Sequence, residues 1–366
     1  MTQRLILIGT GGQGEIWCRE FLPPNVADGT VDVVAAVDVD EDALSNATDP
    51  DGIGLSADRC YTEPEAAMRE HEADAVAIVV PPQFREELVT LALEHDLDIV
   101  SEKPLADSMA GALRIVAAVE DADAKMGITM SHRFRRDVSS LRNRLRSGKV
   151  GAVDYFYGRY AVNARSRGSW AGERLYDLET HPLLVDGAIH HLDLLADLAG
   201  DRAKTVFCTA WNPSYSDFVG DPNAVVQLVM ENDTSIVYEG LNTAATTLNG
   251  WWSEHIRANG AEETLVLDDG ALHRLPYERD AEGCLGATTI ESGEELDLEN
   301  REKWGNTWLI QRFADWCEGG DPMETNARDN LQAMGLVFAA IESAETGTAV
   351  DVQEFIADAR TRPDRD

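Results

Sequence analysis

A chain of 366 residues is too long for one ordinary core and is read as two domains, and its 44% hydrophobic content suits a globular protein. The formal net charge of −35, from 66 acidic residues against 31 basic ones, excludes nucleic acid and anionic membrane surfaces as partners. No apolar run approaches the roughly 20 residues of a membrane span, and the first one, LILIG, leads into a structural motif instead of a cleavage site. Five scattered cysteines (Cys18, Cys60, Cys208, Cys284, Cys317) form no CxxC pair. They point to free thiols in a reducing compartment, hence to a cytoplasmic protein without a disulfide or zinc framework.

RLILI (4–8) reads as a strand, GTGGQG (9–14) as a turn, and EIWCREF (15–21), with Ile16, Trp17 and Phe21 at helical spacing, as a helix. Gly9, Gly11 and Gly14 make GxGxxG, with Gly12 and Gln13 completing the turn. Gly9 permits the sharp bend, Gly11 lets backbone approach a pyrophosphate, and Gly14 lets helix and strand pack closely. The helix start then faces the phosphates with unpaired N–H groups. VDVVAAV (31–37) is a second strand ending in Asp38, 24 positions past Gly14 and near the spacing of about 20 residues at which an acid grips an adenosine ribose diol. No Arg or Lys follows to welcome a 2′-phosphate, so NAD is favoured, with NADP the alternative. A turn or helix-cap role is the plainer reading of Asp38.

AVAIVV (75–80), LDIVS (97–101) and GITM (127–130) continue as buried parallel strands. FREELVTLALEH (84–95) and SMAGALRIVAAVE (108–120) carry helical spacing, and TEPE (62–65) resembles a capping box. The expected fold class is α/β: a doubly wound parallel sheet over residues 1–130, binding ligand beyond the carboxyl ends of its strands, and a second domain over 131–366. Glu102-Lys103-Pro104 follows LDIVS at such an end, although a loop lysine there needs no function.

HRFRRDVSSLRNRLR (132–146), with Val138, Leu141 and Leu145 on one face, predicts a solvated amphipathic helix. Strands are expected at 154–162, 204–211, 223–230, 235–241, 253–260 and 263–270, and helices at 307–318 and 326–345. The acidic stretch 276–300 reads as a long exposed connection. LLVDGAIHHLDLL (183–195) opens a buried helix running to Leu198. Asp186 and His190, four apart, share a face that Asp193 continues, while His191 points a quarter-turn away. A metal site of Asp186, His190 and Asp193 is conceivable, but no second ligand cluster supports it and no metal is expected. Trp170, Trp251, Trp252, Trp304 and Trp308 suit a core or interface; Trp170, just before this helix, is the best candidate for stacking on a sugar.

GTGGQG, SEKPLA and VDGAIHHLD, with HRF (132–134), SGKVG (147–151) and SAETGTAV (343–350), resemble the glucose–fructose oxidoreductase/inositol dehydrogenase (Gfo/Idh/MocA) family over nearly the whole chain. The resemblance implies an NAD(P)-binding Rossmann domain followed by an α/β domain whose large, mostly antiparallel sheet serves as the interface of a homodimer or homotetramer. It implies that Lys103 contacts substrate beside the nicotinamide, that Glu102 lies near the nicotinamide ribose, that Asp186 and His190 are the catalytic pair, and that Arg133 contacts substrate. VPPQFR (80–85) departs from the family, with Val80 and Arg85 where Thr and His are usual. The composition, rich in acid with only Lys103, Lys125, Lys149, Lys204 and Lys303 as lysines, resembles proteins of extreme halophiles, in which molar salt screens self-repulsion.

The chemistry then reads as an alcohol–carbonyl interconversion on a sugar, polyol or related polyhydroxy compound. His190 takes the hydroxyl proton as general base, with His132 the rival. Lys103 steadies the developing alkoxide. Asp186 orients His190 or binds a neighbouring hydroxyl, and Asp193 binds a hydroxyl or holds structure. Two alternatives share the fold: an NAD-dependent glycosidase and a non-enzymatic nucleotide-sensing regulator.

Overall fold

The short apolar runs of the first 130 residues pair as β1 (Gln3–Ile8), β2 (Val31–Val37), β3 (Cys60–Tyr61), β4 (Ala75–Ile78), β5 (Asp98–Ser101) and β6 (Met126–Ile128). Every pairing is parallel, in the order β3-β2-β1-β4-β5-β6, the doubly wound arrangement. The computed structural model describes residues 2–168, 173–277 and 293–361, and all counts here refer to them. Ile6, Leu7, Val76 and Ala77 are wholly buried, which is why these strands read as continuous hydrophobic runs without alternation.

Helices Arg85–Glu94 and Met109–Asp121 fall where the periodicity puts them, the second capped by Ser108 Oγ accepting from Gly111 N at 3.1 Å. The helix after TEPE forms as Pro64–Glu70, but no side chain caps it. Proline at its first position has no N–H to satisfy, so the cap is dispensable. After the glycine turn, Gln13–Ile16 is α-helical and Trp17–Phe21 widens into a π turn, with Leu22 N donating to Trp17 O at 3.0 Å.

Contacts divide the chain into two units, one of Met1–Ser131 with Lys303–Met334 and one of His132–Glu302 with Gly335–Thr361. The division expected after residue 130 does not foresee this return. Helix Gly305–Cys317 buries Leu309, Ile310 and Phe313 in the first unit. Beyond it, Ile128 N donates to Thr325 O and Thr325 Oγ1 to Ile128 O, each at 2.8 Å, so the returning chain lines the outer side of edge strand β6. Two of the few lysines are spent here. Lys125 Nζ donates to Cys317 O at 3.0 Å, and Lys303 Nζ to Asn25 Oδ1 at 2.7 Å and Gln311 Oε1 at 2.8 Å.

The second unit carries β7 (Val153–Ala161), β8 (Ala203–Trp211), β9 (Asn223–Met230), β10 (Ser235–Leu241), β11 (His255–Gly260), β12 (Glu263–Asp268), β13 (Ala271–Pro276), β14 (Glu294–Leu296) and β15 (Val350–Asp351). Their order is β14-β13-β12-β11-β7-β10-β9-β8-β15, antiparallel throughout except β7 with β10. β14 falls inside the stretch expected to be connection, where its Leu296 pairs with Leu272; residues 278–292 lie outside the described residues.

Two expectations need correction. The basic helix forms as Arg136–Arg146, but Arg135, Asp137, Ser139, Ser140 and Arg142 are buried, so it is not a solvated face. Its charges are paired inward: Arg144 Nε meets Glu263 Oε1 at 2.6 Å and Arg142 Nε meets Asp197 Oδ2 at 2.8 Å. The second concerns residues 183–198, which are not one α-helix. Leu184–Ala188 is a π turn, and Ile189–Ala199 continues as α-helix to a left-handed stop at Gly200. This helix comes close to the sheet because β7 offers Gly158, where a Cβ would stand 2.8 Å from Leu195 Cδ1.

Candidate functional site

In the first unit the carboxyl ends of β1, β2, β4 and β5 gather the expected cofactor residues. Gly9 (φ 93°) and Gly14 pack backbone on backbone, since a Cβ on Gly14 would lie 2.2 Å from Gly9 O. Gly12 faces open space, with nothing within 4 Å of a built Cβ, and Gly11 meets only Ala43 Cβ at 3.4 Å and Asp38 Oδ2 at 3.8 Å. The loop is thus closed against the sheet and open outward, the shape a dinucleotide phosphate needs.

Asp38 braces that loop: its Oδ2 accepts from Thr10 N at 2.7 Å and Gly11 N at 3.1 Å. Glu102 is a second brace. Its Oε1 accepts from Trp17 Nε1 at 2.8 Å and Gln13 Nε2 at 3.4 Å, and its Oε2 from Thr129 Oγ1 at 2.7 Å and Lys103 N at 3.2 Å. The backbone that presents Lys103 is therefore tied to the helix following the glycine turn. Arg85, an apparent departure from the family, is 2% exposed and donates to Val80 O at 2.9 Å and Lys103 O at 3.0 Å. It clamps the end of the β4 run to the Lys103 loop, which gives the substituted position a structural purpose.

In the second unit, His190 leaves the π turn on the first residues of the α-helix, 3% exposed. Its ring stacks on His132 with centroids 4.4 Å apart and planes at 25°. Trp251 lies edge-on to His132, His190 and His191 at 4.6, 5.4 and 5.7 Å. Trp252 stacks on the outer side of His132 at 4.7 Å, and its φ of 71° places a bulky side chain in the left-handed region, a conformation held by surrounding packing.

Beneath the rings is Glu254. Its Oε1 lies 3.2 Å from each of His132 Nε2, His191 Nε2 and Trp252 N, and its Oε2 is held by Arg135, itself paired with Asp137. His191 Nδ1 meets Tyr238 Oη at 2.8 Å. His132, His191 and Glu254 offer three potential ligand atoms within 4.8 Å of one another. That is a different group from Asp186, His190 and Asp193. Asp186 sits in the π turn that leads into the helix of His190, and burial, with the Asp186 charge adding to it, raises the pKa of the Tyr160 hydroxyl.

Arg133 and Asp193, both expected at a ligand, are paired with each other: Nε to Oδ2 at 2.6 Å and Nη2 to Oδ1 at 2.5 Å. Burial pushes the Asp193 carboxyl up and the Arg133 charge opposes it. A substrate role for either would require opening this pair. Trp170 lies outside the described residues. Sequence reasoning missed Glu254 and Arg135. The available signal was an acid between two tryptophans and a strand in WWSEHI, a place where a solvated carboxylate has no reason to be.

Two family models match the chain: "Oxidoreductase family, NAD-binding Rossmann fold" over residues 4–130 and "Oxidoreductase family, C-terminal alpha/beta domain" over residues 142–352. An uncharacterized protein, y4oX, of Sinorhizobium fredii is 40% identical over 359 residues, 97% of each chain. A D-apiose dehydrogenase of Rhizobium rhizogenes is 26% identical over 327 residues, 87% of this chain and 90% of the relative. An oxidoreductase from Agrobacterium radiobacter, solved in complex with NAD+, L-tartaric acid and magnesium, shares the fold at TM-score 0.78 and 21% identity, covering 97% of this chain and 99% of that one.

Proposed function

The chain belongs to the Gfo/Idh/MocA oxidoreductase family, with an NAD-binding Rossmann domain, and from that premise we propose that it interconverts an alcohol and a carbonyl on a sugar, polyol or related polyhydroxy compound. The observation that carries the reading is the match of both halves of one oxidoreductase family to this chain, with Lys103 at the carboxyl edge of the cofactor-binding sheet. Relatives named as dehydrogenases of apiose and inositol support the substrate class.

The glycine loop, open above Gly11 and Gly12, would hold the pyrophosphate, and Asp38, at the carboxyl end of β2, would meet the ribose diol. NAD, when bound, supplies a hydride acceptor. Lys103 hydrogen-bonds the substrate oxygen and steadies its negative charge. His190 accepts the hydroxyl proton at a ring nitrogen, and the stacked and edge-on rings around it fix the imidazole and keep water off it. Asp186 binds a neighbouring hydroxyl. The buried thiols take no part: burial pushes Cys18 and Cys208 up to about 12, so neither offers a thiolate.

A second copy of the chain is part of the proposal. Phe207, Trp211 and Val229 stand exposed on β8 and β9, an apolar sheet face suited to a homodimer or homotetramer. So are a cytoplasmic setting, supported by free cysteines, and a salt-rich one, supported by the charge. No helix among the described residues is long and apolar enough to cross a membrane.

The test is a panel of sugars and polyols with NAD and NADP in molar salt, followed at the nicotinamide absorbance. Reduced cofactor accumulating with one polyhydroxy class supports the reading. Sugar release without reduced cofactor, or no turnover with any member of the panel, overturns it.

A further inference from the structure

We infer that His132, His191 and Glu254 form a binding site for one divalent transition-metal ion, with zinc the best match to two imidazoles and a carboxylate. The three residues come from separate places in the second unit: the turn before the basic helix, the helix of His190, and the bend entering β11. All three are at most 3% exposed. Two buried imidazoles and a buried carboxylate turned toward one point need either hydrogen bonds or a cation to account for them.

Hydrogen bonding alone fits poorly. Glu254 Oε1 has three nitrogens at 3.2 Å, those of His132, His191 and the Trp252 backbone. A carboxylate oxygen has about two lone-pair sites, and an N–H held by a carboxylate settles near 2.9 Å or less. Of these three, only the two imidazole nitrogens can join Oε1 as ligands, the Trp252 N–H staying a donor to that oxygen, and the three ligand atoms lie within 4.8 Å of one another. For bonds of about 2.1 Å in tetrahedral geometry, neighbouring ligand atoms stand about 3.4 Å apart. The two 3.2 Å edges from Glu254 to the imidazoles approach that value.

The supporting contacts are those a metal centre uses. Tyr238 Oη at 2.8 Å from His191 Nδ1 orients that ring and leaves Nε2 toward the centre, and Arg135 holds the other Glu254 oxygen. Three protein ligands leave a fourth position for water or a hydroxyl group. A zinc framework of cysteines is absent from the sequence, but this site needs none.

The experiment uses the full chain, stripped with a chelator, reloaded with Zn2+ or Co2+ and dialysed. A single equivalent of zinc should remain by elemental analysis, and the cobalt form should show the strong visible bands of a low-coordinate ion, a readout independent of any variant. Glu254→Gln and His191→Ala should reduce retained metal to the background of the acidic surface. Tyr238→Phe, which keeps the ring and its packing, should weaken binding about 10- to 100-fold. A cobalt spectrum of the hexaaquo type, or equal retention by the wild type and Glu254→Gln, overturns the proposal. His190→Ala should keep the metal and lose turnover, so a failure here and a failure of the hydride-transfer reading are told apart.

Discussion

Replacing Arg133 with methionine keeps most of the stem and removes the charge. Asp193, 3% exposed, then loses both of its guanidinium contacts, at 2.6 and 2.5 Å. Breaking one side of a buried pair costs about 3–5 kcal/mol, because the remaining charge is stranded. Asp197, the guanidinium's other neighbour at 3.4 Å, keeps Arg142 at 2.8 Å, so the loss centres on Asp193. The double variant Arg133→Met/Asp193→Leu should return to within about 1 kcal/mol of the wild type, since exchanging a whole buried pair for apolar groups is often neutral. Urea unfolding at fixed molar salt is the assay, and salt should not erase the effect, because buried charges are little screened. The pH response of the single variant has a definite sign. Burial raises the folded-state pKa of Asp193 above the unfolded value of about 3.9, so the folded chain holds that proton more tightly. The contribution of Asp193 to stability is therefore fully present below the unfolded pKa and is lost as pH rises through the folded one. A loss under about 1 kcal/mol accompanied by a KM raised more than about tenfold would refute the reasoning and return Arg133 to the ligand.

His190→Ala should lower kcat by about 10² to 10⁴, the range of a lost general base, and His132→Ala by much less; steady-state kinetics showing equal or reversed losses would move the base to His132. Gly14→Ala forces a Cβ to 2.2 Å from Gly9 O. It should cost at least about 1–3 kcal/mol and weaken NAD binding, read by thermal unfolding and cofactor titration; unchanged values would mean that the loop has other room. With a net charge of −35, the melting temperature should climb between dilute buffer and molar salt, where the Debye length shrinks to about 3 Å; indifference to salt counts against self-repulsion as a term in stability.

Much of the first unit is legible because each parallel strand is a buried run bounded by a turn, and GTGGQG and SEKPLA mark the loops at the carboxyl ends of β1 and β5. Hydropathy reported correctly that residues 183–198 are buried. It does not distinguish a π turn from an α turn, since both hide their leucines. The basic helix misled because arginine reads as solvent-facing unless its acids are known, and Glu263 and Asp197 lie far along the chain. Glu254 joins His132 and His191 across 122 and 63 residues, a meeting that no local pattern announces.

The Thr325–Asn326 segment that lines β6 bears on how this protein can be dissected. An isolated cofactor domain ending at residue 131 would leave the outer hydrogen-bonding groups of edge strand β6 bare and the apolar seat of Phe313 uncovered. Such a fragment is a template for edge-to-edge association. An expressible dinucleotide-binding module must therefore carry residues 303–334 by a linker or a circular permutation, and a plain truncation should precipitate.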